Sequence, residues 1–459
     1  MRYSQARWRR LCIGVALTGT LTVPAAAGAA YGATAPAPEP PGPVAATTTA
    51  DTPTPSPVSP SPLSPTPVSP SPVSPSPVSP TPTSPSPSSS GDSFPQLSPA
   101  VAAQLDSAIK GVMTEANVPG VMVALSAPGK GEYIRSFGIA DKATGQQMSP
   151  GLYMRIGSET KTFTVTALLQ LVDQGKVGLD DPIGDYVSGV PNGDRITLRE
   201  LAGMRSGLYN YSMDEGFFKA LTSDPQRPFT PQELLDYSFK HPVNFAPGAQ
   251  FEYSNTNTIL LGLVVEKVSG MPLHDYIDQK VVRPAGLKHT SFPTGAEFPH
   301  PHAHGYTNQT ATGQVEDATD WNPSWGWAAG AMVSDLQDMR TWAKVVATGT
   351  LLTADTQAQR LKTGSTSGMT DTGYGLGIFD VQGWIGHNGS LPGYESLTIY
   401  LPQEQATLVV LLNTDILHGQ TEPSTLFGKA ITEIVTPNHI YDLPKPTEPA
   451  PSPSPSPSS

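Results

Sequence analysis

The chain has 459 residues, 37% of them apolar, with 27 Lys and Arg against 39 Asp and Glu and a formal net charge of −12. An acidic balance of this size excludes nucleic acid as the main partner, since that affinity rests on neutralising phosphates. A single cysteine, Cys12, excludes a disulfide framework.

Arg2, Arg7, Arg9 and Arg10 precede an apolar run from about Leu11 to Val23, and small residues follow. This pattern predicts a secretory signal peptide over residues 1–35, because the run is too short to span a bilayer. The Arg9-Arg10 pair leaves the Sec and twin-arginine routes both open. Removing the segment would take Cys12 with it and leave 23 Lys and Arg against 39 Asp and Glu, a net charge of −16. The mature chain would then be secreted, without a thiol nucleophile or a stable membrane anchor, and in loose association with the cell wall or free of it. Residues 36–97 read as a Pro/Ser/Thr-rich linker in which Val58, Leu63, Val68, Val73 and Val78 recur every fifth position. Polyproline II has three residues per turn, so that period gathers no apolar face and builds no core. Residues 443–459 repeat the composition as a Pro/Ser-rich tail. A glycosylated spacer and a tail without a specific role are equally compatible with these segments.

Residues 98–442 are long enough for a large buried core. Ser98 is placed to cap and Pro99 to start a helix whose Val101, Leu105, Ile109 and Val112 share one face. Two strands follow at 121–127 and 132–140, joined by Pro-Gly-Lys-Gly. A helix then runs from about Ser158, with Val165, Leu168, Leu171 and Val172 as its apolar stripe and Gly175 as its stop. Helices predominate through the middle, notably at 256–270 and 272–282. Near the end, residues 384–390, 394–402 and 406–415 read as three successive strands, and 425–435 as a last helix. The pattern predicts an α+β fold: an antiparallel five-stranded sheet flanked by helices, plus a mostly helical lobe.

Ser158 and Lys161, one helical turn apart, are either a cap and a solvated amine or a nucleophile and its base. A lysine acts as base only when burial or cationic neighbours lower its pKa. Downstream the chain carries Tyr253-Ser254-Asn255 and His387-Asn388-Gly389. Taken alone, Tyr253 reads equally as core packing and His387 as a satisfied histidine at a strand end. The same short patterns recur at Ser107/Lys110, Tyr306-Thr307-Asn308 and Lys362-Thr363-Gly364. Lys110 lies on the polar side of the first helix, and the residues after Lys362 read as polar turn. His387 is instead followed by two strands.

In this order Ser158-x-x-Lys161, Tyr253-x-Asn255 and His387-x-Gly389 resemble the three signatures of the penicillin-recognising serine hydrolases. Residues 170–187, 196–208, 245–257 and 386–396 are similar to the class C β-lactamase and secreted D-alanyl-D-alanine carboxypeptidase branch, and the likeness covers about 98–436. The resemblance implies an acyl-enzyme on Ser158, proton transfer shared by Lys161 and Tyr253, and Asn255 orienting Lys161 and the substrate amide. It implies an oxyanion hole from the N–H groups of Ser158 and Ser390, and a positive field from His387, with Asn388 and Gly389 beside the substrate. It implies a monomer acting on a small peptide, ester or β-lactam, with peptidoglycan as its setting and no cofactor. Two departures stand out. Asn388 occupies a position that is threonine in many relatives, and residues 373–386 lack the arginine that would pair with a terminal carboxylate. The most direct reading is therefore a D-alanyl-D-alanine carboxypeptidase or transpeptidase, with an esterase, a β-lactamase or a non-catalytic penicillin binder as alternatives. His300, His302 and His304 alternate between prolines without acidic or cysteine co-ligands, so no metal site is assigned. Trp321, Trp325 and Trp327 either line a cleft, with Trp327 the choice for substrate contact, or pack internally. No G-x-S-x-G occurs, which disfavours an α/β-hydrolase.

Overall fold

The computed structural model describes residues 94–366 and 371–443, which fall in one unit. The signal segment, most of the linker and the tail lie outside the described residues. Phe94 and Leu97, assigned by composition to the linker, instead pack on the domain, with Phe94 fully buried and Leu97 N–H donating to Lys130 O at 2.8 Å. The folded part therefore starts slightly before Ser98.

Helix α1 (Pro99–Glu115) starts as its sequence requires, with the Ser98 side chain accepting from Val101 N–H and Leu105, Ile109 and Val112 buried. Strands β1 (Gly120–Ala127), β2 (Gly131–Asp141) and β3 (Gln146–Gln147) follow, then helix α2 (Thr160–Asp173), helix α3 (Asn255–Ser269) and helix α4 (Leu336–Thr348). The chain closes through β4 (Gly364–Ser365), β5 (Thr372–Tyr374), β6 (Phe379–Val381), β7 (Trp384–Leu391), β8 (Tyr394–Leu401), β9 (Ala406–Leu412) and helix α5 (Pro423–Val435). The sheet order is β3-β2-β1-β9-β8-β7-β6-β5-β4, and neighbouring strands pair antiparallel among the described residues. The five long strands of the predicted sheet lie at its centre. It extends to nine because four strands of two or three residues join the edges, too short to show any alternation in sequence.

Both faces are covered, which the period of two makes visible. On β1, Val121, Val123 and Leu125 join a core under α1 and α5, whereas Met122 and Ala124 join the core of the helical lobe. On β9, Leu408, Val410 and Leu412 face the first core, and Val409 and Leu411 the second. Helix α2 departs from a simple stripe, since eleven of its fourteen residues are buried, threonines included. Threonine is tolerated there because its hydroxyl can bond back to its own helix. Thr162 donates to Glu159 O at 2.6 Å and Thr166 to Thr162 O at 2.6 Å.

Phe427 on α5 is fully buried against the sheet. Phe427→Ala should lower unfolding free energy by about 3–5 kcal/mol, read as a lower denaturation midpoint in urea; a loss under about 1 kcal/mol would show that this face is not core.

Candidate active site

Ser158 sits in a tight turn, Gly157–Glu159, that runs directly into α2. Neither the turn nor the helix is closed by a side-chain cap, so the hydroxyl does no capping. It accepts a hydrogen bond from Lys161 Nζ at 2.9 Å, and the same amine donates to Ala329 O at 2.8 Å. Lys161 is fully buried, and loss of water pushes its pKa well below the usual lysine range. The Ala329 carbonyl belongs to the Trp-rich segment after Trp325, which Thr164 of α2 also binds through Ala328 O at 2.8 Å. No sequence signal marks it, because every residue has a carbonyl.

The turn fits closely against β7. Gly157 has φ +52°, and a Cβ on it would lie 2.8 Å from Ser390 N. A Cβ on Gly389 would lie 2.1 Å from Ile156 O, whose oxygen also accepts from Ser396 Oγ at 3.0 Å. The glycine of His387-Asn388-Gly389 is thus dictated by backbone clearance, and that clearance brings Ser390 alongside the nucleophile.

Tyr253 and Asn255 flank the start of α3. Tyr253 faces the same pocket as Ser158, and its ring lies beneath Lys161 Nζ at 4.9 Å. Burial pushes the phenol far above its ordinary range. Asn255 Nδ2 donates to Ser212 Oγ at 3.1 Å, which fixes the amide without a direct bond to Lys161. His387 departs furthest from expectation. It is buried beside Tyr253 and Tyr374, and burial followed by repulsion from Lys161 lowers its pKa to about 3. Its Nε2 lies 3.2 Å from the Tyr374 hydroxyl and its Nδ1 meets Asn388 O, so a neutral ring satisfies both contacts. The predicted positive field from His387 is therefore absent.

Ser158, Tyr253, Asn255, Asn388 and Ser390 line one pocket, together with Gln309, Trp325 and Glu422. Trp325, not Trp327, faces it. Trp327 has φ +33°, and its ring is turned against α3 so closely that a Cβ on Gly262 would come within 2.8 Å of it.

Glu422 and its neighbours were not legible as site residues. Asn388 Nδ2 donates to Glu422 at 2.6 Å. Burial raises Glu422 to about 7, with repulsion from Asp415 adding to it against that hydrogen bond. Asp415 is raised to about 6 by burial, although Gly393 N–H, Thr307 and Gln309 donate to it. Glu395, buried next to both, is raised well above the usual carboxyl range by burial and then by Glu422.

None of the residues of the repeated short patterns lines this pocket, although Tyr306-Thr307-Asn308 runs directly into Gln309, which does. Lys110 Nζ is over the Phe137 ring at 5.4 Å, Thr307 serves Asp415, and Gly364 sits in edge strand β4. Of the three alternating histidines, His302 bonds Pro299 O and His304 bonds Asp317. Among the described residues, His289, Asp335 and Asp338 have ligand atoms close enough for a cation. Their carboxylates are already taken by His289, Thr290 and the backbone of α4.

Residues 105–424 match the Beta-lactamase family model. PbpX of Bacillus subtilis (strain 168) is 27% identical over 283 residues, which cover 61% of this chain and 66% of that relative, just under two thirds of its length. Among solved structures, the D-stereospecific amidohydrolase from Streptomyces sp. is 28% identical with a TM-score of 0.66, covering 73% of this chain and 98% of its own. The D-amino acid amidase from Ochrobactrum anthropi SV3, solved with L-phenylalanine amide, is 30% identical with a TM-score of 0.63, covering 72% and 99%.

A carboxyl whose folded pKa is raised holds a proton that the unfolded chain has already lost. The stability it contributes is full below the unfolded value and is lost as pH climbs through the folded one. Glu422 and Asp415 place that window between about 4 and 7. The melting temperature should fall across this range, and Glu422→Gln with Asp415→Asn should flatten the slope; an unchanged slope in the double variant would refute the assignment.

Proposed function

The chain belongs to the beta-lactamase family, and from that premise we propose that it is a serine amidohydrolase, acting on small amides of D-configured acyl groups through an acyl-enzyme on Ser158. The carrying observation is the Lys161 Nζ to Ser158 Oγ hydrogen bond in a pocket shared with Tyr253. A buried, neutral amine can take the serine proton as Oγ attacks the carbonyl carbon. The proton then passes, through Lys161 and Tyr253, to the departing amine as the C–N bond breaks. Water reverses the proton path, adds to the acyl carbon, and releases the acid with Ser158 restored. The N–H groups of Ser158 and Ser390 are the donors for the oxyanion. The two amidohydrolase structures, each covered almost end to end, support the amide and the D-configuration.

The carboxypeptidase reading, with D-alanyl-D-alanine wall peptides as substrate, rests on the order of the signatures. It requires a cation for the terminal carboxylate, and the residues lining the pocket include neither Arg nor Lys. Ester and β-lactam carbonyls remain substrates of the same chemistry. The arginine-led apolar N-terminus supports export, and the protein would work as a secreted monomer.

Ser158→Ala should abolish both covalent labelling by fluorescent penicillin and hydrolysis of 4-nitrophenyl acetate, whereas retained labelling would move the nucleophile elsewhere. Lys161→Ala should cut turnover by about 10²–10⁴-fold. In the unaltered chain kcat/KM should rise with pH through an ionisation lying well below the usual lysine range, as the amine loses its proton.

A further inference from the structure

We propose that Glu422, Asn388 and Gln309 form a subsite for a primary ammonium group, so that the preferred substrates carry a free amine beside the scissile carbonyl. This inference rests on the amidohydrolase reading and names the substrate class for that site.

Glu422 is the charged side chain among the pocket-lining residues that is not part of the Ser158 machinery, and it shares the pocket with that serine. A carboxylate just ahead of a helix commonly caps it. Glu422 stands at the start of α5 and makes no side-chain cap, because the nearby Ser424 N–H is bound by Glu395 Oε2 at 2.8 Å. The Glu422 carboxylate instead takes a hydrogen bond from Asn388, and among the described residues it has no ion-pair partner.

The two amides point to the same ligand. Asn388 gives one N–H of its NH₂ group to Glu422, and Gln309 gives one of its own to Asp415. Each therefore has its amide oxygen left to accept. A carboxylate and two amide oxygens make a set of acceptors, which matches the three N–H donors of an ammonium.

The surroundings add a second, separate observation. Glu395 is 1% exposed, and its Oε1 has no hydrogen-bond partner among the described residues. With Asp415 it forms a buried group of carboxyls beside Glu422 that no protein cation neutralises among the described residues. His387 is neutral, and Lys161 is committed to Ser158 and Ala329. An incoming ammonium would favour the ionised form of Glu422 and pair with it, in a setting where desolvated ion pairs discriminate strongly between ligands.

The test compares D-alanine 4-nitroanilide with its N-acetyl derivative on the purified chain near neutral pH. The free amine should be favoured by on the order of a hundredfold in kcat/KM. Glu422→Gln should collapse that ratio toward one, and Glu422→Asp should restore part of it. A wild-type ratio near one, or a ratio that survives in Glu422→Gln, overturns the proposal. Should a variant fail to fold, competition on the unaltered chain decides. D-alaninamide should inhibit hydrolysis of 4-nitrophenyl acetate and N-acetyl-D-alaninamide should not; equal inhibition overturns the subsite. Ser158-dependent ester turnover without amine preference refutes only the subsite. Absence of Ser158-dependent turnover refutes the amidohydrolase reading and this inference with it.

Discussion

Stripping the Lys161 amine of water, while leaving it two oxygen partners, sets the requirement that the surrounding architecture has to meet. A charged ammonium in that position would lose its hydration without a carboxylate to compensate, so the neutral form is favoured. Keeping water out calls for a helix enclosed on nearly every side. Helix α2 meets this with back-bonded threonines, a stacked Phe163–Trp342 pair at 3.9 Å, and Trp342 Nε1 donating to Thr162 at 2.7 Å. The partner oxygens, Ser158 Oγ and Ala329 O, come from segments 171 positions apart in the chain. The nucleophile and its base are thus a product of packing as much as of the residue types themselves.

Charge is distributed unevenly around this neutral centre. The third signature carries histidine, whose burial leaves it uncharged, and the strands leading into it bring no arginine. The acidic groups gather where β8, the turn after β9 and the start of α5 converge, and Glu422 among them bonds Asn388 of that signature. A pocket of this kind treats the two ends of a substrate differently. It holds the reacting carbonyl among neutral donors and sets its negative potential beside them, at Glu422.

Long elements with clear periods were legible in the sequence. Helix α1, the five central strands and α5 follow from caps, alternation and an apolar face. Ser158, Lys161, Tyr253, Asn255 and the strand bearing His387 were identifiable from their order. The edge strands were not, because two or three residues carry no period. The charge state of His387 was hidden because burial, which decides it, is a tertiary property. Glu422 looked like an ordinary acid ahead of a helix, and only folding turns it away from the helix toward Asn388. Choosing Trp327 over Trp325 depended on a backbone dihedral that no side-chain pattern announces.

The contact between the Gly157 turn and β7 joins parts of the chain far apart in order, with Ile156 and Ser396 separated by 240 positions. The half bearing the serine and lysine is therefore chemically incomplete until the closing strands dock and bring Ser390 alongside. Acylation by a small probe would report on assembly itself, and a break in the loops ahead of β7 would make two fragments that are silent apart and competent together. The fold thereby provides a natural seam for a split reporter, in which the appearance of a covalent label registers the meeting of two pieces.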